Sequence, residues 1–570
     1  MTTSDDKVQS WRPYTDDPAR LMRTRMTGWY DPFKLAQSAR DIAVSALLGA
    51  RDDQRVIEAI GCEQPPFDYS HKEELWIDYV ADLGDGFNPT YTVASLLARD
   101  TITLGGEELP RGHVLIMGGD QVYPSASREG YNRRLIEVYK AARVRRDAGD
   151  TVGDLYAIPG NHDWYDGLIT FMRVFGWRES LASWNTKQRR SYFALSLPHH
   201  VWLFAVDIQL EANIDHTQIE YFCEIARTKM KSGDRLILCT AEPDWVKGKV
   251  YGQDCQESLA FFEERVLGAC PGLRVVARIA GDLHHYRRHE SAKGEQNIVA
   301  GGGGAFLHPT HGEPVDEVLS GPLDKQVAYR LKKSYPSIDE SRSLTRLNAF
   351  FIKYNPRFAV ATAGIYAFLS LWFLRFGFGM LVGMIVFLAG VVFFTDTSRK
   401  VYRVLAGLTH GLIHCFIVGA VIHRMHVTHG MGLYERVGRV VQSVVDLLGI
   451  RTLAQSQLQN FAEDLVAAAV VALVGALIGP IIMGLYLHLS LNVFKRHGNE
   501  AFSALRIQDW KNFLKLHITR EGDLVIYPVG VEKVPRRWTV RADPKPGEGL
   551  FEPLDRPIEP KLIEAPITVK

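Results

Sequence analysis

Cysteine is scarce in this chain and falls in no paired pattern. Six cysteines (Cys62, Cys223, Cys239, Cys255, Cys270, Cys415) are scattered over 570 residues, with no CxxC pair and no framework spacing. That excludes a disulfide-built scaffold and fits free thiols in a reducing compartment. Charge of one sign is equally lacking. The 66 Lys and Arg nearly cancel the 65 Asp and Glu, leaving a net charge of +1, so no global field points to nucleic acid. The N-terminus, Met1-Thr2-Thr3-Ser4-Asp5-Asp6, lacks an apolar h-region, and no cleaved signal is expected. No internal repeat is apparent.

What is present divides into unlike parts. A prior of roughly 150 residues per domain implies several units. Residues 1–73 read as an N-terminal helical segment. Within it Asp31-Pro32 opens an amphipathic stripe through Leu35, Ala39, Ile42, Ala43, Ala46 and Leu47, expected to pack on the following domain. Residues 74–345 read as an α/β layered domain. Strand-like runs at 76–81, 114–117, 155–158, 192–197, 201–206, 236–239 and 275–280 alternate with helical patterns such as 133–145 and 218–231. Polar sites in such a domain belong at strand C-termini.

Between 356 and 494 the chain turns strongly apolar. Four runs, 358–374, 376–394, 404–422 and 465–491, each suit a bilayer core of about 30 Å and are read as transmembrane helices. Arg342, Arg346, Lys353 and Arg357 precede the first run, Arg399, Lys400 and Arg403 separate the second and third, and Lys495 and Arg496 follow the fourth. The positive-inside rule places those clusters inside and Arg375 outside, although Arg424, Arg436, Arg439 and Arg451 in the third loop pull the other way. The segment 433–448 is amphipathic and reads as interfacial. The expectation is a multi-pass protein of the inner or plasma membrane, with membrane lipids as partners and its catalytic half and both termini cytoplasmic. His410 and His414 lie one turn apart on a face shared with Gly407 and Gly411. That face suits either a metal, haem or proton-relay site or a close helix–helix contact, with Gly475, Gly479 and Pro480 as its partner. Residues 495–570 read as a cytosolic segment carrying a β-hairpin over 514–527, followed by a Pro-rich tail.

Four clusters of metal-type donors sit at predicted strand ends. They are Asp82-Leu83-Gly84-Asp85, Gly119-Asp120-Gln121-Val122-Tyr123, Gly160-Asn161-His162-Asp163 and Gly281-Asp282-Leu283-His284. Each alone reads first as a turn residue capping a loop. Together they supply the oxygen and imidazole donors of a two-metal hydrolase, in which a shared carboxylate holds two cations that neutralise phosphoryl oxygens and activate water.

The order and spelling of these clusters resemble the calcineurin-like metallophosphoesterase superfamily, over roughly residues 74–310. The fold this implies is a layered β-sandwich flanked by helices, here followed by a four-helix transmembrane region and the C-terminal hairpin. Position by position, the resemblance implies that Asp82 binds the first metal, Asp120 bridges both and Asn161 binds the second. It further implies that His162, oriented by Asp163, acts on the phosphoryl or leaving oxygen, and that His284 serves the first metal. Asp282 stands where the family has a histidine for the second metal. The first motif has Gly84 in place of a histidine, a spelling similar to purple acid phosphatases, which makes Tyr123 a candidate phenolate ligand. The late lone histidine is missing from Cys239-Thr240-Ala241-Glu242-Pro243, where Glu242 is a candidate substitute. Such an oxygen-rich shell favours Mn²⁺, Mg²⁺ or iron over Zn²⁺. The run Gly301–Gly304 looks like the family's closing loop. His308 is a further candidate metal ligand, and Arg287 and Arg288 are candidates for holding an anionic substrate.

The reading is a membrane-anchored dimetal phosphoesterase that hydrolyses a phosphomonoester, phosphodiester or pyrophosphate bond with metal-activated water. A lipid-linked or nucleotide substrate would suit the membrane half. The alternative is a silent pseudo-phosphatase whose altered shell binds a ligand or partner and signals to the bundle. A gated transporter is a third, weaker reading, because few charges lie within the apolar runs.

Overall fold

The structure, a computed structural model, describes residues 17–34, 63–144, 152–178, 180–208, 214–375, 379–395, 400–427, 439–440, 443, 446 and 455–569. Most of the amphipathic stripe at 31–47 and of the interfacial segment at 433–448 lies outside them. The chain divides into two compact units. One comprises Met1–Thr27, Gln37–Ser341 and Arg506–Lys570, and the other Gly28–Ala36 and Arg342–Leu505.

The first unit is built on two nine-stranded sheets. In chain order the strands that matter to the site are β1 (Leu75–Val80), β2 (Val114–Met117), β3 (Gly153–Ala157), β4 (Phe193–Leu197), β5 (Val201–Val206), β6 (Arg235–Thr240), β7 (Arg274–Ala280), β8 (Tyr286–Ser291), β9 (Gln296–Ala300), β10 (Val327–Tyr335), β11 (Lys511–Ile518) and β12 (Leu524–Val531). One sheet runs β12-β11-β1-β2-β3 through its centre, and the other β4-β5-β6-β7-β9-β8-β10. The runs read from the sequence are all strands, with ends shifted by one or two residues.

Alternation explains why these strands are apolar on both faces. Leu115, Met117, Leu155 and Ala157 face a core shared with the helix α1 (Phe87–Leu97). The intervening Ile116 and Tyr156 are fully buried on the opposite face, where the Tyr156 ring meets Phe193 of the other sheet at 5.0 Å. Phe204, Leu236 and Leu238 in turn face Phe222 and Phe262 of the outer helices His216–Thr228 and Glu257–Ala269. Parallel strands covered on both sides need near-continuous hydrophobic runs, which these are.

Register then sets the level of the strand ends. Val80 pairs with Met117 and Met117 with Ala157, all in parallel, so β1, β2 and β3 stop together. Thr240 likewise pairs with Ala280. Asp82, Asp120, Asn161, Glu242 and Asp282 follow these ends by two to four residues. Crossing hydrogen bonds fix the loops: Asp82 N–H to Gly119 O at 3.0 Å, Gly281 N–H to Ala241 O at 3.1 Å, and Gly303 N–H to Ala81 O at 2.9 Å.

The C-terminal hairpin is longer than its sequence signature, and it is no appendage. β11 pairs antiparallel with β1 over Leu514–Ile518, which makes it a central strand of the site-bearing sheet. The tail beyond it forms short strands, two of which, Pro560–Leu562 and Ile567–Val569, pair with β12.

The second unit is helical: α4 (Phe358–Arg375), α5 (Gly379–Phe394), α6 (Lys400–Val427) and α7 (Gln455–Asn492). Among the described residues, two of its helices, Lys400–Met425 and Asp464–Asn492, are long and apolar enough to cross a membrane. The number becomes three if the pair Ile338–Tyr354 and Phe358–Leu374, bent by 68°, is one span; Leu381–Phe393 is shorter. The surface is inverted relative to a water-soluble bundle. Val386, Phe393, Phe416 and Leu473 are each at least 66% exposed, while Thr362, Ser370, His410 and His414 are buried. That distribution suits lipid contact. His414 Nδ1 lies 2.7 Å from Tyr366 Oη of α4, and the His410 ring stacks on that of His414 at 4.8 Å. The expected glycine pairing is corrected. Gly475 and Gly479 receive Tyr366 and Thr362 of α4, whereas Gly407 and Gly411 receive Val392 and Leu388 of α5.

Candidate metal centre

Asp82, Asp120 and His284 each offer one donor atom, and these atoms lie within 4.8 Å of one another, all on buried residues. Each is held by its own loop. The His284 Nδ1 lies 2.7 Å from the Phe306 carbonyl, which can only accept, so Nδ1 carries the hydrogen and Nε2 presents its lone pair to the cluster. Burial holds this imidazole well below its usual pKa, and hence neutral. Asp120 Oδ1 accepts the His162 backbone N–H at 2.9 Å. Gly160 must be glycine for this to happen, because a Cβ there would stand 2.0 Å from Asp120 Oδ1. Asp82 leans against Gly301, where a Cβ would stand 2.3 Å from Oδ2.

The Tyr123 hydroxyl sits among the three. It is 3.0 Å from Asp82 Oδ1, 3.0 Å from Asp120 Oδ2 and 2.9 Å from His284 Nε2. One phenolic hydrogen satisfies one of three acceptors; each remaining contact needs a proton or a cation of its own. Asp82 Oδ2 is moreover buried with no hydrogen-bond partner. Burial raises the pKa of Asp82, and neighbouring Asp120 and Asp282 raise it further; Asp120 is raised chiefly by burial too. Two carboxylates, a phenol and a neutral imidazole, converging with one oxygen unsatisfied, fit a hard cation.

Asn161, Glu242 and Asp282 line the same cleft as Asp82 and Asp120, floored by Gly119 and Gly160. Seven of the eight metal candidates therefore converge here, His308 being the exception. The His308 ring stacks on His284 at 3.9 Å instead, so it backs a donor. Arg287 and Arg288 are not brought to the cleft. Both lie buried on β8, where Arg287 donates to Thr310 O at 2.9 Å and Arg288 forms an ion pair with Glu564 at 2.7 Å.

His162 and Asp163 belong to the short helix α2 (Asn161–Trp164). The His162 Nδ1 lies 2.6 Å from Pro124 O, so a backbone carbonyl orients the ring and Nδ1 carries the hydrogen. Asp163 does different work from that expected of it. Its carboxylate accepts Gly160 N–H at 2.8 Å, Gln121 N–H at 3.2 Å and Tyr131 Oη–H at 2.5 Å, which ties the Asn161 loop to the Asp120 loop.

Sequence reasoning missed Lys247. It lies on α3 (Asp244–Tyr251), with Nζ 2.6 Å from Glu242 Oε2 and 3.3 Å from Asp282 Oδ2. The available signal was a lysine in the opening turns of a helix, where the macrodipole disfavours a cation. Tyr165 was missed as well; its ring packs edge-on to His162 at 5.2 Å.

No family model and no curated protein matches this chain. Among solved structures it is similar to a purple acid phosphatase, PPD1, isolated from yellow lupin (Lupinus luteus) seeds, with a TM-score of 0.29 and 12% identity over 47% of this chain and 48% of that one. It is also similar to PhoD, with a TM-score of 0.25 and 12% identity over 41% of this chain and 58% of that one. The chain thus spans roughly half the length of each.

Proposed function

We propose that this chain is a membrane-anchored, metal-dependent phosphoesterase. The observation that carries the reading is the Tyr123 hydroxyl enclosed by Asp82, Asp120 and His284, beside an unsatisfied Asp82 oxygen. Asp82, Asp120, Tyr123 and His284 would hold a first divalent or trivalent ion. The resemblance implies a second cation position among Asp120, Asn161, Glu242 and Asp282. Cations bound there would polarise the phosphoryl group and acidify an attacking water at neutral pH. Asn161 would orient a phosphoryl oxygen or ion through its amide. His162, oriented through Nδ1, would pass a proton from Nε2 to the leaving oxygen. Asp163 positions the loops that carry both. Oxygen donors outnumber imidazole, which favours Mn²⁺, Mg²⁺ or iron. Four spans, a cytoplasmic catalytic half and a lipid-linked phosphoester as substrate complete the proposal; the apolar surface of α4–α7 supports it.

The test is hydrolysis of model phosphomonoesters and diesters by the detergent-purified chain, with and without Mn²⁺, beside Asp120→Asn. Activity is expected to fall ~10²-fold or more in the variant, because a carboxylate common to the cation positions is lost. Equal activity of the two proteins would overturn the reading. Silence of both across the panel would favour a ligand-binding module.

A further inference from the structure

The cleft departs from its resemblance at two positions, and both changes replace an imidazole with a carboxylate. By that resemblance Glu242 stands near the place of a lone histidine, and Asp282 stands where the family has a histidine for the second metal. A neutral imidazole offers a lone pair and no net charge, whereas these two groups bring two negative charges into a cleft that already holds Asp82 and Asp120. Lys247 answers them. Its Nζ is 2.6 Å from Glu242 Oε2 and 3.3 Å from Asp282 Oδ2, and the three side chains are only 25%, 18% and 21% exposed. Among the described residues, the acidic and histidine donors that come within 4.8 Å of one another as a group of three are Asp82, Asp120 and His284, without Glu242 or Asp282.

We propose that the Lys247 ammonium is the second cation of this centre, so that each chain binds one metal ion, at Asp82, Asp120, Tyr123 and His284. The inference rests on the reading of the cleft as a metal-dependent phosphoesterase site. A lysine satisfies the geometry in a way a second ion could not share. It carries a full positive charge, ion-paired with Glu242 and Asp282, and its three donors are enough to serve both and still reach a phosphoryl oxygen. A divalent ion taking the same two carboxylates would sit within a few ångströms of the ammonium and be repelled by it. The two substitutions and the lysine are then one coordinated change: imidazoles suited to a metal give way to carboxylates suited to an ammonium.

Metal content of the full-length chain in detergent decides the matter without recourse to activity. The stripped protein is titrated with Mn²⁺, the bound ion is counted after dialysis, and the Mn²⁺ spin-resonance spectrum is recorded. One ion per chain is expected, with the spectrum of an isolated Mn²⁺. Lys247→Ala frees both carboxylates and should take up a second ion per chain, spin-coupled to the first, while Lys247→Arg should remain at one. Two coupled ions in the unaltered protein would overturn the lysine assignment and leave the metal-site reading standing. So would a Lys247→Ala protein that melts normally and still binds one ion. No ion bound by the unaltered protein would overturn both. The count on the unaltered chain holds whether or not either variant folds.

Discussion

Asp82, Asp120 and Asp282 share a backbone conformation as well as a charge: their φ angles are 59°, 49° and 65°. Left-handed geometry is costly for most residues and least so for glycine, asparagine and aspartate. The chain therefore stops each strand abruptly with a residue that tolerates the turn and also carries a carboxylate of the kind that can bind a cation. Such residues are legible, which is why Asp82, Asp120, Asn161, Asp282 and His284 can be picked from the sequence. Lys247 is harder to pick, since its one local mark, a cation in the opening turns of a helix, does not say which carboxylates it reaches. A different buried residue gives a measurable pH dependence. His289 is fully buried on β8, with Nε2 donating to Val315 O at 2.7 Å, and burial lowers its pKa to about 4, with Arg287 and Arg288 on its own strand acting the same way. The unfolded chain takes up this proton below about pH 6.5, while the folded chain resists until about pH 4, so stability falls as the pH drops through that window. The cost by pH 4 is on the order of 3 kcal/mol. His289→Gln removes the titration and keeps a donor. Thermal melts of the solubilised chain between pH 4 and 7 should lose stability less steeply in the variant; identical slopes would refute this.

Elements from the two ends of the chain meet in one sheet. Lys515 of β11 pairs with Asp78 of β1 at 2.6 Å, both 3% exposed, and the other Asp78 oxygen accepts Gly112 N–H at 2.9 Å. Removing one partner from such a pair strands a buried charge. Lys515→Met should destabilise the first unit by about 3–5 kcal/mol, and adding Asp78→Asn should recover part of the loss. Melting curves of the single and double variants check this; a double variant less stable than the single one by the full cost of Asp78→Asn alone would show no coupling. The hairpin itself was readable from its alternation and its Glu521-Gly522-Asp523 turn. Its place beside β1 was not, because the pairing joins residues 437 apart across the apolar region and no local pattern encodes it. The long helical runs were legible for the opposite reason, since hydrophobicity is a local property. Which glycines faced which helix was not, because that depends on packing between neighbours.

For the whole molecule, the open question is how many of the four apolar helices cross the bilayer. α4 has 18 residues and α5 has 16, or about 27 and 24 Å at 1.5 Å per residue, at or below the ~30 Å of a typical hydrocarbon core. α6 and α7 are long enough without help. Bilayers thin or flanking basic residues snorkel to accommodate a short span, at a modest cost per ångström. Arg375 ends α4 and Lys400 begins α6, so the two positions bracket α5. If α4 and α5 both span, Arg375 and Lys400 lie on opposite faces of the membrane, and the basic clusters at 342–357, 399–403 and 495–496 all lie on one face, as the positive-inside rule requires. If they form a shallow hairpin instead, the two positions share a face. A membrane-impermeant maleimide applied to intact cells separates these cases. Arg375→Cys should react directly, and Lys400→Cys only after permeabilisation. Failure of both to react before permeabilisation would leave two spans in place of four, and both termini would still share one side, since two is also even.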